Sequence, residues 1–276
     1  MSRLLIFGRG YAAQAVAARL DGWHVVGTTR DGRDGTIRFD DEDAIAAEMA
    51  AATHILSSVP PADGIDPVLA RHGGAVARSR AWIGYLSSTG VYGDAGGAWV
   101  DETAPVTGRR GPRNRADADW LAIGARVFRL PGIYGPGRSP LDRVREGKAH
   151  RVDVPGQVFS RVHVDDIASG VIAGFGGPAG AYNLADDRPC SQNEVVVFAA
   201  ALIGLPPPPF VALDSLSPMA RAFYAENRRV AARKAKAVLG WAPRWPDYRA
   251  GLRALSATTR PMPVRTDPAA ASVDQR

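Results

Sequence analysis

A short glycine-rich segment near the start of the chain has the residue types and spacing of a phosphate-binding turn. Gly8 and Gly10 follow the apolar run 4–7, and Ala13 occupies the position where a third small residue is needed. In such a turn the first glycine allows the tight bend and the second lets the backbone approach a pyrophosphate, while the third small residue lets the helix pack on the strand. A helix beginning at Tyr11 would present its first N–H groups to the anion. The pattern predicts dinucleotide binding through Gly8, Gly10, Tyr11 and Ala13, and the alternative is a plain connection between strand and helix.

Two strand ends supply further candidate cofactor contacts. About twenty residues after the glycines, an NAD site usually carries an acidic residue for the ribose hydroxyl. Here Thr28 and Arg30 occur, and a hydroxyl with a guanidinium suits a 2′-phosphate, although Asp31 follows directly. We therefore expect NADP as the cofactor, with NAD as the alternative. Ser57 and Ser58 end another predicted strand, where they would either contact the cofactor or simply terminate the strand.

The elements that must position these residues are those of an α/β protein. Short apolar runs alternate with helical patterns in the first half, which is typical of βαβ units around a parallel sheet buried on both faces. The sequence predicts strands at 3–7, 23–28, 53–59, 81–87 and 125–130, and helices at 11–20, 44–51 and near 115–123. After residue 131 it predicts helices at 141–146, 165–173, 194–203, 230–239 and 247–255, and an extended segment at 181–185.

These elements predict a doubly wound parallel sheet, a Rossmann-type NAD(P)-binding fold, with a small C-terminal α/β substrate lobe. One extended domain is expected over residues 1–255, with 1–131 mainly binding the dinucleotide and 132–255 mainly forming the substrate lobe. Residues 256–276 contain Ser, Thr, Pro and Ala without periodicity, so we expect a disordered tail there.

The composition excludes several classes of protein. The 276 residues are 46% hydrophobic and 22% charged, which indicates a globular chain, and no apolar run approaches the roughly 18 residues of a membrane span. One cysteine, Cys190, excludes an internal disulfide framework and fits a reducing cytoplasm. The net charge of +6 comes from scattered arginines without a basic stripe, and the histidines lack the spacing of metal ligands. We expect a cytoplasmic monomer or homodimer that acts on a small-molecule substrate, with no nucleic acid, membrane or metal partner.

Four further segments resemble the extended short-chain dehydrogenase/reductase superfamily, the NAD-dependent epimerase/dehydratase group. They are residues 85–93 (YLSSTGVYG), 129–137 (RLPGIYGPG), 161–168 (RVHVDDIA) and 182–187 (YNLADD). Their order and spacing match that family over roughly residues 3–255. The run 93–102 and the ending 239–243 (LGWAP) are most similar to its atypical, YeeZ-like subgroup.

The resemblance implies acid–base chemistry by a hydroxyl residue, a tyrosine and a lysine. In typical members the hydroxyl orients a carbonyl or alcohol, the tyrosine is the general acid/base, and the lysine lowers the pKa of the tyrosine and holds the nicotinamide ribose. Ser88 falls on the hydroxyl position. If residues 118–119 match the family's Ala-Glu pair, Arg115 takes the lysine position and Gly111 the tyrosine position. The usual proton donor is then missing, and an arginine cannot replace it because it stays protonated.

The same resemblance suggests substrate contacts and two substitutes for the missing acid. Thr89, Tyr92, Tyr134 and Arg161 are the candidate substrate-binding residues, and either tyrosine is a candidate acid. Arg161 would reach a phosphate or carboxylate of the substrate, whereas His163 is expected to be structural.

The function expected from this resemblance is that of an NAD(P)-dependent oxidoreductase or epimerase-like enzyme. Its substrate would be a small or nucleotide-linked carbonyl or alcohol compound, with Ser88 and Arg115 as the catalytic residues. The alternative is a catalytically degenerate NADP(H)-binding sensor or interaction protein, which the glycine at the tyrosine position favours.

Overall fold

The computed structural model describes residues 1–258, and its central feature is a parallel sheet of seven strands. In chain order the strands are β1 (Arg3–Phe7), β2 (His24–Thr29), β3 (Ile37–Arg38), β4 (His54–Ser57), β5 (Trp82–Ser88), β6 (Trp99–Val100), β7 (Arg126–Leu130), β8 (Gly132–Tyr134), β9 (Arg151–Val152), β10 (Arg161–His163), β11 (Gly180–Asn183), β12 (Phe210–Val211) and β13 (Arg229–Val230). The large sheet has the order β11-β7-β5-β4-β1-β2-β3, and all its pairings are parallel.

Helices cover both faces of this sheet and build the lobe. They are α1 (Tyr11–Ala17), α2 (Glu42–Ala51), α3 (Pro67–Arg78), α4 (Gly111–Ala122), α5 (Pro140–Arg145), α6 (Val164–Ala173), α7 (Gln192–Leu202), α8 (Pro218–Tyr224), α9 (Arg233–Leu239) and α10 (Tyr248–Thr258). A short 3₁₀ turn, Thr89–Tyr92, follows β5 directly.

The first strand shows why the sheet lies between two layers. Leu4 and Ile6 point into a core shared with α1 and α6, whereas Leu5 and Phe7 point into a core shared with α2, α3 and α4. All four side chains are buried. Because side chains alternate along a strand, only a sheet covered on both faces buries such an unbroken apolar run.

The strand order reverses direction at β1. The chain continues from β1 outward to β2 and β3, then crosses back to β4 on the other side. This is the switch point of a doubly wound sheet, where ligands bind beyond the carboxyl ends of the strands. The predicted fold class is therefore confirmed.

The later part of the chain forms the lobe and also returns to the sheet. Three two-stranded parallel pairs, β8 with β10, β9 with β12 and β6 with β13, frame the lobe. Its core contains Leu141 of α5, Val195 of α7 and Leu252 of α10. In contrast, β11 pairs with β7, and α6 packs on α1, so these elements belong to the main layer.

Two local predictions need correction, and helix α3 was not predicted from the sequence. The helix predicted at 230–239 begins only at Arg233, because Val230 pairs with Val100 in a strand and donates its N–H to Ser160 Oγ. Helix α3 was not predicted, although Asp66 caps it well. The predicted tail starts too early, since α10 continues through Thr258; residues 259–276 lie outside the described part.

The described residues contain neither a membrane-spanning helix nor a cluster of metal-ligating side chains. Each helix within residues 1–258 is too short or too polar to cross a lipid bilayer. Over the same range, no group of three or more His, Cys, Asp or Glu side chains is arranged to hold a metal ion.

Candidate functional site

The turn after β1 is held from both neighbouring strands. Gly8 has φ of +80°, and a Cβ there would lie 2.8 Å from Val59 Cγ2, so both conformation and space require glycine. Its N–H donates to Thr28 Oγ1 at 3.1 Å, and Ser58 Oγ donates to its carbonyl oxygen. The turn is thus fixed before any ligand binds.

Gly10 differs because the protein itself does not require glycine there. Its φ is −82°, and an added Cβ would meet nothing nearer than Ser58 Oγ at 4.0 Å. The space above it belongs to an open crevice, which Tyr11 and Ala12 also line. The first N–H groups of α1 have no partners within the helix. Ala13 faces the other way, into the core behind the turn.

This crevice lies at the predicted switch point and has a volume of about 640 Å³, a size typical of small-molecule sites. It connects the glycine turn with the end of β5 and the lobe. Its lining includes Gly10, Tyr11, Ser58, Ser88, Thr89, Phe159 and Ser160.

The structure brings Ser88 to this crevice with its hydroxyl oriented. Ser88 Oγ accepts a hydrogen bond from the N–H of Gly90 at 3.1 Å. Because the amide occupies an acceptor position, the hydroxyl proton can be donated to a ligand oxygen. Thr89 also lines the crevice but is otherwise buried.

Arginines are the main charged residues of the crevice lining, and the sequence does not reveal this because they are scattered along the chain. Glu226 is the one carboxylate among the described residues that line it. The five arginines of the lining are Arg109, Arg110, Arg113, Arg138 and Arg228.

Glu226 joins two of these arginines. Its Oε1 accepts from Arg109 Nε at 2.7 Å, and its Oε2 accepts from Arg228 Nη1 at 2.8 Å. Burial raises the pKa of Glu226, but the hydrogen bonds and charges of Arg228 and Arg109 outweigh burial and hold the pKa below its usual value. The carboxyl is therefore ionised at neutral pH.

Arg113, and not Arg115, is the arginine of α4 that reaches the crevice. The helix buries Asp117 and Trp120, and Arg113 lies one turn before Asp117 on the same side. Arg115 is exposed and does not line the crevice. The predicted catalytic placement of Arg115 is therefore corrected: the phase of the helix turns it to solvent.

The two candidate tyrosines are also held away from the crevice. Tyr92 donates its hydroxyl hydrogen to Asn183 Oδ1 at 2.7 Å and accepts from Arg129 at 3.1 Å. Burial raises its pKa, which Arg129 only partly opposes. Tyr134 is buried with its hydroxyl against Gly251, so neither phenol lines the main crevice. Both hydroxyls belong to internal packing, so the structure does not bring them to Ser88, and the roles predicted for these tyrosines stay predictions.

A second cavity of about 410 Å³ adjoins the first in the lobe, and Tyr134 and Arg161 form part of its wall. The guanidinium of Arg161 is already occupied: it donates to the Phe159 carbonyl at 2.9 Å, the Cys190 carbonyl at 3.2 Å and Gln192 Oε1 at 3.0 Å. These bonds fix β10 to the segment before α7. Arg161 thus positions this wall of the cavity, and its predicted contact with a substrate stays a prediction.

The predicted cofactor contacts differ in their accessibility. Thr28 is buried below the glycine turn, and Ser57 is fully buried and does not line the crevice. Ser58 lines it, whereas Arg30 is exposed beyond β2 with no hydrogen bond or ion pair to the described residues. Asp31 is engaged locally, with Oδ1 3.2 Å from the Thr29 hydroxyl.

His163 has the structural role expected of it. It is buried, and its Nδ1 accepts the N–H of Asp165 at 3.2 Å, which caps α6. Burial lowers its pKa, so the ring stays neutral at neutral pH and can accept this bond.

The fold and the glycine turn are those of a Rossmann-type NAD(P)-binding protein, and the similarity to known proteins supports an extended short-chain dehydrogenase/reductase of the atypical kind. The chain is a YeeZ-like member of that class. It is 29% identical to protein YeeZ of Escherichia coli strain K12 over 247 residues, which cover 76% of this chain and 87% of YeeZ.

Solved structures agree with this assignment. A functionally unknown conserved protein from Silicibacter pomeroyi DSS is 42% identical, with a TM-score of 0.81 over 93% of this chain and 99% of that one, and the chain belongs to the same family. The human epimerase family protein SDR39U1, solved with NADPH, shares the fold at 16% identity and a TM-score of 0.72, covering 93% of this chain and 100% of that one. No family model matches the chain.

Proposed function

We propose that this protein is an NAD(P)-dependent oxidoreductase or epimerase-like enzyme that acts on a small or nucleotide-linked carbonyl or alcohol compound. The observation that carries the proposal is that the glycine turn and Ser88 open onto one crevice. The same crevice can therefore hold a dinucleotide and a second molecule. A nicotinamide dinucleotide, when bound, supplies or accepts the hydride.

The residues present fit such a dinucleotide. The open space above Gly10, which a Cβ would occupy, and the free N–H groups at the start of α1 suit a pyrophosphate. Arg138, whose guanidinium lies 5.7 Å from the ring centroid of Tyr11, adds a positive charge beside this turn. The NADPH in the human structure is a property of that protein, and it supports the same ligand class here.

We propose NADP(H) rather than NAD(H) as the preferred form. Arg30, at the end of β2, has no hydrogen bond or ion pair with the described part of the chain and can bind a 2′-phosphate bidentately. Asp31 is bonded to the Thr29 hydroxyl and lies 3.4 Å from Arg33, which leaves it less able to accept from a ribose hydroxyl.

Ser88 is the proposed catalytic residue. Its hydroxyl proton can be donated to the oxygen of a carbonyl substrate, which would orient that substrate and polarise the bond. Arginines near the same strand end would stabilise developing negative charge on that oxygen, although they cannot transfer a proton.

The alternative function is a dinucleotide-binding sensor without turnover. One observation favours it: Tyr11 is the one tyrosine among the described residues lining the crevice, and its hydroxyl donates to the Pro136 carbonyl at 2.9 Å. The proton donor of typical family members has no counterpart there.

Turnover separates the two functions. NADPH consumption is followed with a panel of aldehydes, ketones, 2-oxo acids and nucleotide-linked sugars, using the parent protein, Ser88→Ala and the distant control Ser79→Ala. We expect at least one compound to be reduced, with a loss of roughly 10²-fold in kcat for Ser88→Ala and no loss for the control. NADPH binding without turnover of any compound would instead support the sensor.

A further inference from the structure

The end of the crevice next to β5 carries positive charge that the residues in the range 1–258 do not neutralise. Arg109, Arg113 and Arg228 line this end, and Glu226 is the one carboxylate among the described lining residues. Glu226 pairs with Arg109 and Arg228 and makes no ion pair with Arg113.

This charge lies beside the proposed catalytic serine. A Cβ placed on Gly90 would be 3.3 Å from Ser88 Oγ and 4.0 Å from Arg228 Nη2, so both groups border one small space. Arg228 is held there by bonds from its Nη1 to the Gly93 carbonyl at 2.6 Å and to Glu226. Arg109 is linked to the same place through Glu226.

The anions of a dinucleotide do not account for these arginines. A pyrophosphate would lie at the glycine turn after β1, and a 2′-phosphate would lie on the opposite side, at the end of β2. Strand β4 separates β1 from β5, which places the end of β5 roughly 10 Å from that of β1. The arginines at β5 therefore face a second ligand.

Arg113 is the residue that most needs an anion. It is half-buried, and its guanidinium makes no hydrogen bond or ion pair with any residue in the range 1–258. A guanidinium binds carboxylate or phosphate through parallel N–H bonds, and these are stronger where water is partly excluded. An anionic group of the ligand would neutralise Arg113, which has no ion pair with Glu226.

We propose that Arg113, together with Arg109 and Arg228, forms a subsite that binds a carboxylate or phosphoryl group of the substrate beside Ser88. The identification of this ligand as the substrate rests on the proposed function. The substrate class is thereby narrowed to anionic carbonyl or alcohol compounds.

The test measures binding of small probes to the full-length protein saturated with NADPH. Malonate is titrated by calorimetry against its neutral counterpart malonamide at constant ionic strength, and inorganic phosphate is titrated separately. The variants are Arg113→Gln, Arg113→Lys and the matched control Arg115→Gln, which removes an exposed arginine from the same helix. Melting temperature reports the integrity of each variant, and NADPH affinity is measured on the same samples.

We expect malonate or phosphate to bind at least about tenfold more tightly than malonamide, and Arg113→Gln to weaken that binding about tenfold. Arg115→Gln should change it less than about twofold, and Arg113→Lys should keep part of the affinity because the charge remains. If Arg113→Gln does not fold, the anion affinity of Arg113→Lys is compared with that of Arg115→Gln. The lysine variant should then bind the anion more weakly than the control.

The proposal is overturned if neither anion binds more tightly than malonamide, or if the Arg113 and Arg115 variants bind the anion equally. Failure of NADPH to bind would overturn the proposed function instead, and the anion titration is then read on the protein without NADPH. A response to phosphate alone assigns the subsite to phosphoryl groups, and a response to malonate assigns it to carboxylates.

Discussion

The buried pair Asp117 and Arg129 holds the strand end that carries Ser88. Asp117 accepts from Arg129 Nε at 3.1 Å, from Arg129 Nη2 at 2.7 Å and from Ser87 Oγ at 2.6 Å. Both charged residues are at most 3% exposed. Since Ser87 precedes Ser88 and Tyr92 bonds to the same guanidinium, this network fixes both ends of the turn after β5.

Removing one partner of the buried pair should therefore lower the free energy of unfolding. Asp117→Ala leaves the Arg129 charge buried without compensation, and we expect the free energy of unfolding to fall by about 3–5 kcal/mol. Asp119→Ala, on the exposed side of the same helix, should change it by less than about 0.5 kcal/mol. Urea unfolding measures the free energy of unfolding of both variants. Equal losses in the two variants would show that the buried pair of Asp117 and Arg129 does not stabilise the fold.

At the scale of elements, the turn between β1 and α1 separates a structural glycine from a functional one. Gly8 needs its left-handed conformation, whereas Gly10 has ordinary dihedral angles and free space around it. We therefore assign Gly8 to the shape of the turn and Gly10 to the approach of the ligand.

Alanine substitutions should separate these roles. Gly10→Ala should lower the free energy of unfolding by at most about 1 kcal/mol, the usual cost at a helix N-cap, yet weaken NADPH binding at least about tenfold by filling the crevice floor. Gly8→Ala should cost about 1–2 kcal/mol from strain alone. The measurements are urea unfolding and NADPH fluorescence titration. A Gly10→Ala protein that binds NADPH as well as the parent would contradict this assignment.

The large sheet could be predicted from sequence because its strands are apolar on both faces, and the glycine turn could be predicted because only a few residue types form it. The two-residue strands of the lobe could not, since so short a segment carries no periodicity. In helix α4 the predicted site residue differs from the one that the structure brings to the crevice. The match of residues 118–119 to the family's Ala-Glu pair selects Arg115 instead of Arg113, and the buried face includes the charged Asp117, so no apolar pattern shows which side faces inward.

At the scale of the whole molecule, the lobe is joined to the sheet through buried polar groups that include Asp186. This residue is 3% exposed; its N–H donates to the Arg161 carbonyl at 2.8 Å, and its Oδ1 accepts from the N–H of Arg188 at 3.3 Å. Oδ2 has no partner among the described residues. Burial, only partly opposed by Arg161, raises the pKa of Asp186 to about 8.

The pH dependence of stability follows from this shift. The unfolded chain releases the proton of Asp186 near pH 4, whereas the folded protein keeps it until about pH 8. The folded state therefore binds more protons between these values, and the contribution of Asp186 to stability is full below about pH 4 and is lost as the pH rises to about 8.

Asp186→Asn should remove this dependence. We expect the variant to be more stable than the parent at about pH 8, by on the order of 5 kcal/mol for a shift of about four pKa units, and nearly equal to it at about pH 4. Asp187→Asn, which changes an exposed neighbour paired with Lys236, is the control and should follow the parent. Urea unfolding across this pH range gives the free energy of unfolding of each protein. If this free energy varies with pH in the same way for the parent and Asp186→Asn, the carboxyl of Asp186 is not held neutral in the folded protein.

The most direct test of the central claim is a calorimetric titration of the protein with NADPH and with NADH, accompanied by melting curves. We predict a saturable isotherm with one site, tighter for NADPH, and a melting temperature raised by about 5 °C or more at 100 times the dissociation constant. No heat and no thermal shift with either nucleotide would contradict it.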